Sequence, residues 1–274
     1  DVSTDDSLSV AESITDERIR IINHEKNRGL SASRNTGIKN ALADYIAFLD
    51  ADDLWKPGFL EAIHKLIIHY PEASLYATKY EECHKGNVVI PIEVNNLDKT
   101  DSKFNLLDFF PANMGKLIVS FSSISIHKSI FETAGLFDET INYAEDIDFY
   151  IRAFYDKQIA YYNRSLAVYM IYDQQQMSLA GLKNKTIPDF DKYESIAGSN
   201  TDLKSFLDFY RYMMAKHYKI IRENRNYKKM LNGIDLNNLN YKQIILLYSP
   251  AFVLRLIKKL KAKLIKKGIN PTTY

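Results

Sequence analysis

A continuously apolar run, Tyr45–Leu49, ends directly in three carboxylates, Asp50, Asp52 and Asp53. A run with no polar alternation marks a strand buried on both faces, as in a sheet covered by helices on either side. The carboxylates then lie at the strand's C-terminal end, where ligands bind in open α/β sheets. Packed this closely, they raise one another's pKa unless a cation or a hydrogen-bond donor compensates. A hard divalent cation compensates through oxygen ligands, and Mg²⁺ or Mn²⁺ shares its coordination sphere with substrate phosphates. The alternative use of these acids is to cap the helix that Pro57 opens. A calcium EF-hand loop is disfavoured: counting from Asp50, its sixth position is Trp55, where that loop requires Gly.

Around this run, strand and helix patterns alternate. Ser7 is placed to cap a helix over Leu8–Ile14, and Arg18–Asn23 alternates as a short strand. Helices are expected over Leu30–Ala43 and Gly58–His69, strands over Leu75–Tyr80 and Val88–Ile92. After the polar stretch Asn95–Gly115 come a strand at Leu117–Ile126 and helices at Ser129–Ala134 and Glu145–Tyr155. Ile159–Tyr162 and Ala167–Tyr172 read as further strands. This alternation predicts an α/β fold with a mostly parallel central sheet. Beyond about residue 180 the pattern turns helical, over Lys204–Asn224, Tyr241–Tyr248 and Phe252–Lys267. The expected organisation is therefore a domain over 1–180 and a C-terminal helical region over 181–274. The chain opens on Asp1-Val2-Ser3-Thr4-Asp5, a loop sequence, so a first strand or two is expected to be missing ahead of it.

Composition narrows the function. Lys and Arg number 36 and Asp and Glu 34, but seven of the bases lie between Arg255 and Lys267, with no acid among them. The rest of the chain is mildly acidic, unlike a nucleic-acid binder with a basic face on its folded domain. The single cysteine, Cys83, excludes an internal disulfide and a Cys-rich zinc site, and suits a reducing, cytoplasmic setting. The longest near-apolar run, Ile244–Leu254, is about half the ~20 residues of a spanning helix and is broken by Pro250.

Five segments carry a resemblance. Asp50-Ala51-Asp52 after Phe48-Leu49, with Trp55 following, resembles the DxD motif of family 2 glycosyltransferases, which have the GT-A fold. Asn27–Ile38 (NRGLSASRNTGI) resembles the family's Asn-rich, A-R-N-x-G segment. Asp1–Asp5 is similar to the end of its DDGSTD motif, with Val2 in place of Gly. Gly135–Glu139 (GLFDE) and Glu145–Phe149 (EDIDF) resemble its GxFDE and ED elements. The resemblance covers residues 1 to about 178.

It implies transfer of a sugar from a nucleotide-diphosphate donor, a UDP-sugar foremost, to a hydroxyl of a glycan or lipid-linked acceptor. Asp52 would hold Mn²⁺ or Mg²⁺ at the donor diphosphate. Asp50, Asp1 and Arg34 would contact the nucleotide-sugar. Asp146 would be the general base and Glu145 would orient the acceptor, whereas Asp148, Asn35 and Gly37 are expected to be structural. In-line attack without an enzyme nucleophile would invert the anomeric centre. For Asp146 the plainer role is to stabilise the first turn of a helix through its dipole. Two rival readings are a sugar-phosphate nucleotidyltransferase, for which no Gly-rich phosphate loop is visible, and a remnant that binds carbohydrate or membrane without catalysis.

The tail is a basic amphipathic helix. Val253, Leu256, Ile257, Leu260 and Leu264 recur at helical spacing among six lysines from Lys258 to Lys267. Residues 252–267 would suit an anionic bilayer, on the inner face of the plasma membrane. The alternative is a terminal helix packed on its own domain.

Overall fold

Two strands set the architecture. The computed structural model describes residues 1–94, 97, 103–171, 181–265 and 268–269. The elements run α1 (Ser7–Glu12), α2 (Leu30–Asn40), β1 (Tyr45–Ala47), β2 (Leu54–Trp55), α3 (Phe59–His69), β3 (Leu75–His84), β4 (Val88–Pro91), β5 (Phe104–Asp108) and α4 (Phe109–Ala112). There follow β6 (Ile124–His127), α5 (Ser129–Thr133), α6 (Glu145–Phe154), β7 (Gln158–Ile171), α7 (Glu194–Ala197), α8 (Thr201–Ile221), α9 (Asn224–Asn232), α10 (Tyr241–Tyr248) and α11 (Ala251–Ile265). The long strands β3 and β7 pair in parallel at the centre of a sheet ordered β1-β6-β3-β7-β2, with β4 added to β3 and β5 to β7.

The α/β class stands, but the sheet is mixed. Among the described pairs β3–β7 is parallel, while β1–β6, β3–β6, β2–β7, β3–β4 and β5–β7 are antiparallel. Continuous apolar runs report burial on two faces and say nothing of strand direction. Alternation along β3 divides the core: Leu75 and Ala77 face one cluster and Tyr76 the other. The smaller cluster is closed by Phe59, Ala62, Ile63 and Leu66 of α3. The larger holds a stack of rings in which Phe149 of α6 lies 4.6 Å from Phe137 and 5.3 Å from Phe131, and Phe121 lies 5.3 Å from Tyr150. This stack fixes α6, the helix that carries the ED element.

Three local expectations differ. Arg18–Asn23 is not a strand; it pairs with no described strand, and Ile19, Ile21 and Ile22 are exposed. Leu117–Ile126 becomes a strand only from Ile124, because Asn113 accepts the Ile118 N–H and Ser120 and Ser123 close a 3₁₀ turn over Phe121–Ser123. The two strands expected near 159 and 167 are one, β7. The boundary near 180 and residue Tyr172 lie outside the described residues.

The C-terminal helices share the larger core. Phe206 of α8 packs 5.0 Å from Phe110 and 6.4 Å from Phe109. Asn200 caps α8 by accepting the Leu203 N–H at 2.9 Å. Arg211 on α8 is fully buried and is held by Asp191, Glu194 and the equally buried Asp208. Removing one partner of such a network leaves a buried charge without compensation. Arg211→Ala is expected to lower unfolding stability by about 3–5 kcal/mol, read by urea denaturation; a loss under about 1 kcal/mol would show that α8 is held by its apolar face alone.

Candidate active site

The acidic turn after β1 is locked from three sides. The Asp50 N–H donates to Ser122 Oγ at 3.1 Å, and the Trp55 indole N–H donates to the Ser122 carbonyl at 2.7 Å. Asp53 folds back through its own N–H to the Asp50 carbonyl at 3.0 Å, and its carboxylate accepts the Met170 N–H at 2.9 Å. Asp53 is buried, and burial pushes its carboxyl up to about 6, against the pull of Ser122 and the Met170 amide. It is the anchor of the turn, while Asp50 and Asp52 face the cavity.

Arg34, in the second turn of α2, is the electrostatic centre. Its Nη2 donates to both oxygens of Asp50, at 3.2 and 3.1 Å, and its Nη1 donates to Glu145 at 3.1 Å. The guanidinium lies 4.3 Å from the Phe121 ring centroid. A planar fork can satisfy two carboxylates and a ring face together; an ammonium cannot. Burial alone would lower the pKa of Arg34, but Asp50, Glu145 and Asp146 outweigh it and hold the cation above its ordinary value.

Asp146 stands beside Glu145 at the start of α6, after Ala144 at φ 59°. It accepts the N–H of Ile147 at 2.9 Å, so it serves the helix terminus as the plainer reading expects. It also lines the cavity. Burial, and next the Glu145 charge, push its carboxyl up to about 7, against Arg34 and the Ile147 amide. That is the range a general base at neutral pH requires.

The cavity, of about 610 Å³, brings Arg34, Asp50, Asp52, Glu145 and Asp146 to one wall. Asp1 is not on it. Its carboxylate accepts the Arg28 and Gly29 N–H groups at 2.9 and 2.7 Å and meets His24 at 2.8 Å, fixing the loop before α2. Asn35 clamps the GLFDE segment, accepting the Phe137 N–H and donating to the Phe137 carbonyl, both at 2.9 Å. Asp148 is buried against Arg152 and Lys192. Gly37 is exposed with open space where a Cβ would stand, so it serves no close approach.

The apolar part of the cavity was not foreseen. Tyr210, Met213, Met214 and His217 of α8 line it, with Tyr80 and Tyr169 from the sheet. Their i, i+3, i+4, i+7 spacing is that of an ordinary core stripe, so no sequence signal separates them from buried packing.

Among the described residues, no three His, Cys, Asp or Glu side chains cluster to hold a metal. The donor set nonetheless fits a hard cation completed by a ligand: carboxylate oxygens face the cavity, and Asp50 is already engaged by Arg34.

Residues 1–131 match glycosyl transferase family 2. The match ends before α6, so it takes in Arg34, Asp50 and Asp52 but neither Glu145 nor Asp146. An uncharacterized glycosyltransferase of Rickettsia felis is 28% identical over 88% of this chain and 38% of its own length. Bacillus subtilis EpsJ, an uncharacterized glycosyltransferase, is 32% identical over 56% of this chain and 45% of its length. The GalNAc(5)-diNAcBac-PP-undecaprenol beta-1,3-glucosyltransferase of Campylobacter jejuni is 25% identical over 97% of this chain and 84% of its length. The match thus spans less than half of the first two relatives. In fold, S. aureus TarS 1-349 in complex with UDP-GlcNAc superposes with a TM-score of 0.62, at 15% identity over 98% of this chain and 81% of that one. The GT-A fold is therefore as the motifs imply.

Ser122 fastens the acidic turn by both its hydroxyl and its carbonyl. Ser122→Ala is expected to leave the Asp50 amide unpaired and cost about 1–3 kcal/mol in chemical denaturation, with weaker UDP binding by calorimetry. Unchanged stability and binding would show that the turn holds itself.

Proposed function

We propose that the enzyme transfers a sugar, with inversion, from a UDP-sugar to a hydroxyl of a glycan or lipid-linked acceptor. One observation carries the reading: Arg34 bridges Asp50 and Glu145 while Asp52 and Asp146 line the same cavity. Asp50 and Arg34 hold the nucleotide-sugar, and Asp52 takes the diphosphate side. Asp1, beyond the cavity wall, is assigned to the nucleoside end. Asp52 would hold Mn²⁺ or Mg²⁺, which would supply positive charge to the departing diphosphate.

Glu145 orients the acceptor, and Asp146 takes the proton from its hydroxyl. The freed oxygen lone pair forms the new bond to the anomeric carbon. The bond from that carbon to the phosphate oxygen breaks as the new one forms, and its electron pair leaves with the nucleoside diphosphate. One displacement inverts the centre. The general base contributes about 10²–10⁴-fold. The UDP-GlcNAc bound by TarS supports the donor class, and the name of the Campylobacter relative supports a lipid-diphosphate-linked acceptor.

Asp52→Asn is expected to abolish metal-dependent UDP binding in calorimetry. Asp146→Asn should keep that binding and lose about 10²-fold or more in transfer. A base must be ionised to act, so wild-type kcat/KM should fall as pH drops below about 7. Swapped phenotypes for the two variants, or an acid limb in the ordinary carboxylate range, would reject these roles.

Association with an anionic membrane at the cytoplasmic face belongs to the same reading. No described helix is long and apolar enough to cross a membrane. Leu254 is buried and Arg255 donates to the Ile220 carbonyl at 2.7 Å, so one edge of α11 packs on α8. Phe252, Leu256 and Leu260 stay exposed, as do Tyr241, Ile245 and Tyr248 of α10. Lys266 and Lys267 lie outside the described residues. Phe252→Ser/Leu256→Ser is expected to abolish sedimentation with phosphatidylglycerol vesicles; equal sedimentation with neutral vesicles would remove the electrostatic part of the claim.

A further inference from the structure

His217 is the polar exception on the α8 part of the cavity. Tyr210, Met213, Met214 and His217 share one helix face, and His217 stands about 10 Å along the axis from Tyr210. The last turn of α8 is fastened by its neighbours: Lys219 donates to the Leu247 carbonyl at 2.7 Å, and Arg255 of α11 donates to the Ile220 carbonyl at 2.7 Å. These bonds hold His217 at the cavity, and none of them is its own. Its Nδ1 is buried with no hydrogen-bond partner among the described residues.

A polar atom left unpaired away from water costs stability, and a side chain that only filled space would be better apolar. The buried nitrogen also fixes the tautomer. Buried N–H groups without an acceptor are rarer than buried acceptors without a donor. The proton therefore sits on Nε2, and the ring turns a donor to the cavity it lines. Burial, and next the charge of Lys258, bring the imidazole down to about 4, so it is neutral at pH 7.

The surroundings decide what such a donor can meet. Tyr80, Tyr169, Tyr210, Met213 and Met214 bring no formal charge to the cavity at pH 7. The Tyr80 hydroxyl already donates to the Leu117 carbonyl at 3.2 Å. Arg34 is the one permanent cation among the described cavity residues, and Asp50 and Glu145 engage it. Asp52 and Asp146 line the same cavity. A charged group on an incoming sugar, if anionic, would find like charges and no free cation. An uncharged sugar finds a donor for one of its oxygens, with ring and thioether surface for its C–H faces.

We infer that His217 is an acceptor-binding residue: its Nε2–H donates to an oxygen of the acceptor sugar, and the α8 face beside it selects a sugar without an anionic substituent. This rests on the transferase reading and adds to it a substrate class, an acceptor whose terminal sugar is neutral.

The test titrates methyl β-glycosides of glucose, galactose, N-acetylglucosamine and N-acetylgalactosamine into the full chain, with the glucuronide as the anionic control. Binding is read by saturation-transfer NMR, with and without UDP and Mn²⁺. At least one neutral glycoside is expected to bind, and the glucuronide more weakly than it. His217→Leu should weaken that glycoside about 10-fold, the loss of one hydrogen bond, and His217→Gln, whose amide N–H can replace the donor, should lose less. The Tm of His217→Leu should be unchanged or higher, because an unpaired buried nitrogen is removed. UDP binding with Mn²⁺ should stay within about twofold in both variants. No binding of any neutral glycoside, equal binding of the glucuronide, or wild-type affinity in His217→Leu overturns the proposal. So does a lower Tm with joint loss of UDP and glycoside binding, the mark of a packing residue. Failure of wild type to bind UDP while a neutral glycoside binds would instead sink the transferase reading and leave the sugar site standing.

Discussion

A single buried guanidinium ties the two halves of the site together. Arg34 reaches Asp50 on the turn after β1 and Glu145 at the start of α6, two positions 95 residues apart in sequence. Without it, Asp50, Glu145 and Asp146 would face one cavity as uncompensated negative charges, and some would be protonated. With it, Asp50 and Glu145 are paired while Asp146 keeps an intermediate proton affinity. The same cation therefore organises the acidic turn and tunes the carboxyl of Asp146. The ring faces of Phe121 and Phe137 hold the guanidinium in place, so the aromatic core beneath the site is part of its electrostatics.

The C-terminal helices complete this cavity. The segment matched by the family contributes Arg34, Asp50 and Asp52, α6 adds Glu145 and Asp146, and α8 supplies Tyr210, Met213, Met214 and His217. The buried network around Arg211 explains how α8 can be both a cavity wall and a rigid one.

Much of the polar side of the site was legible in the sequence, because carboxylates after a buried strand and an Arg-Asn pair at a helix start are unusual and local. Asp50, Asp52, Arg34, Glu145 and Asp146 all reach the cavity. Asp1 does not, since its carboxylate is spent on the backbone of the following loop. The apolar wall was illegible: Met213 and Met214 have the spacing of core residues, and only tertiary packing leaves them beside a void. Strand direction was equally hidden, and Leu117–Ser123, apolar and β-prone, is held as a loop by Asn113 and the Ser120–Ser123 pair.

The most direct measurement is a crystal structure of the full chain with UDP-GlcNAc and Mn²⁺. The account predicts the diphosphate at Asp52 and the sugar's anomeric carbon facing Asp146 across the cavity that Arg34 spans. A nucleotide seated in the other large cavity, of about 570 Å³ and lined by Lys65, His69 and Arg164, with the Arg34 cavity empty, would contradict it.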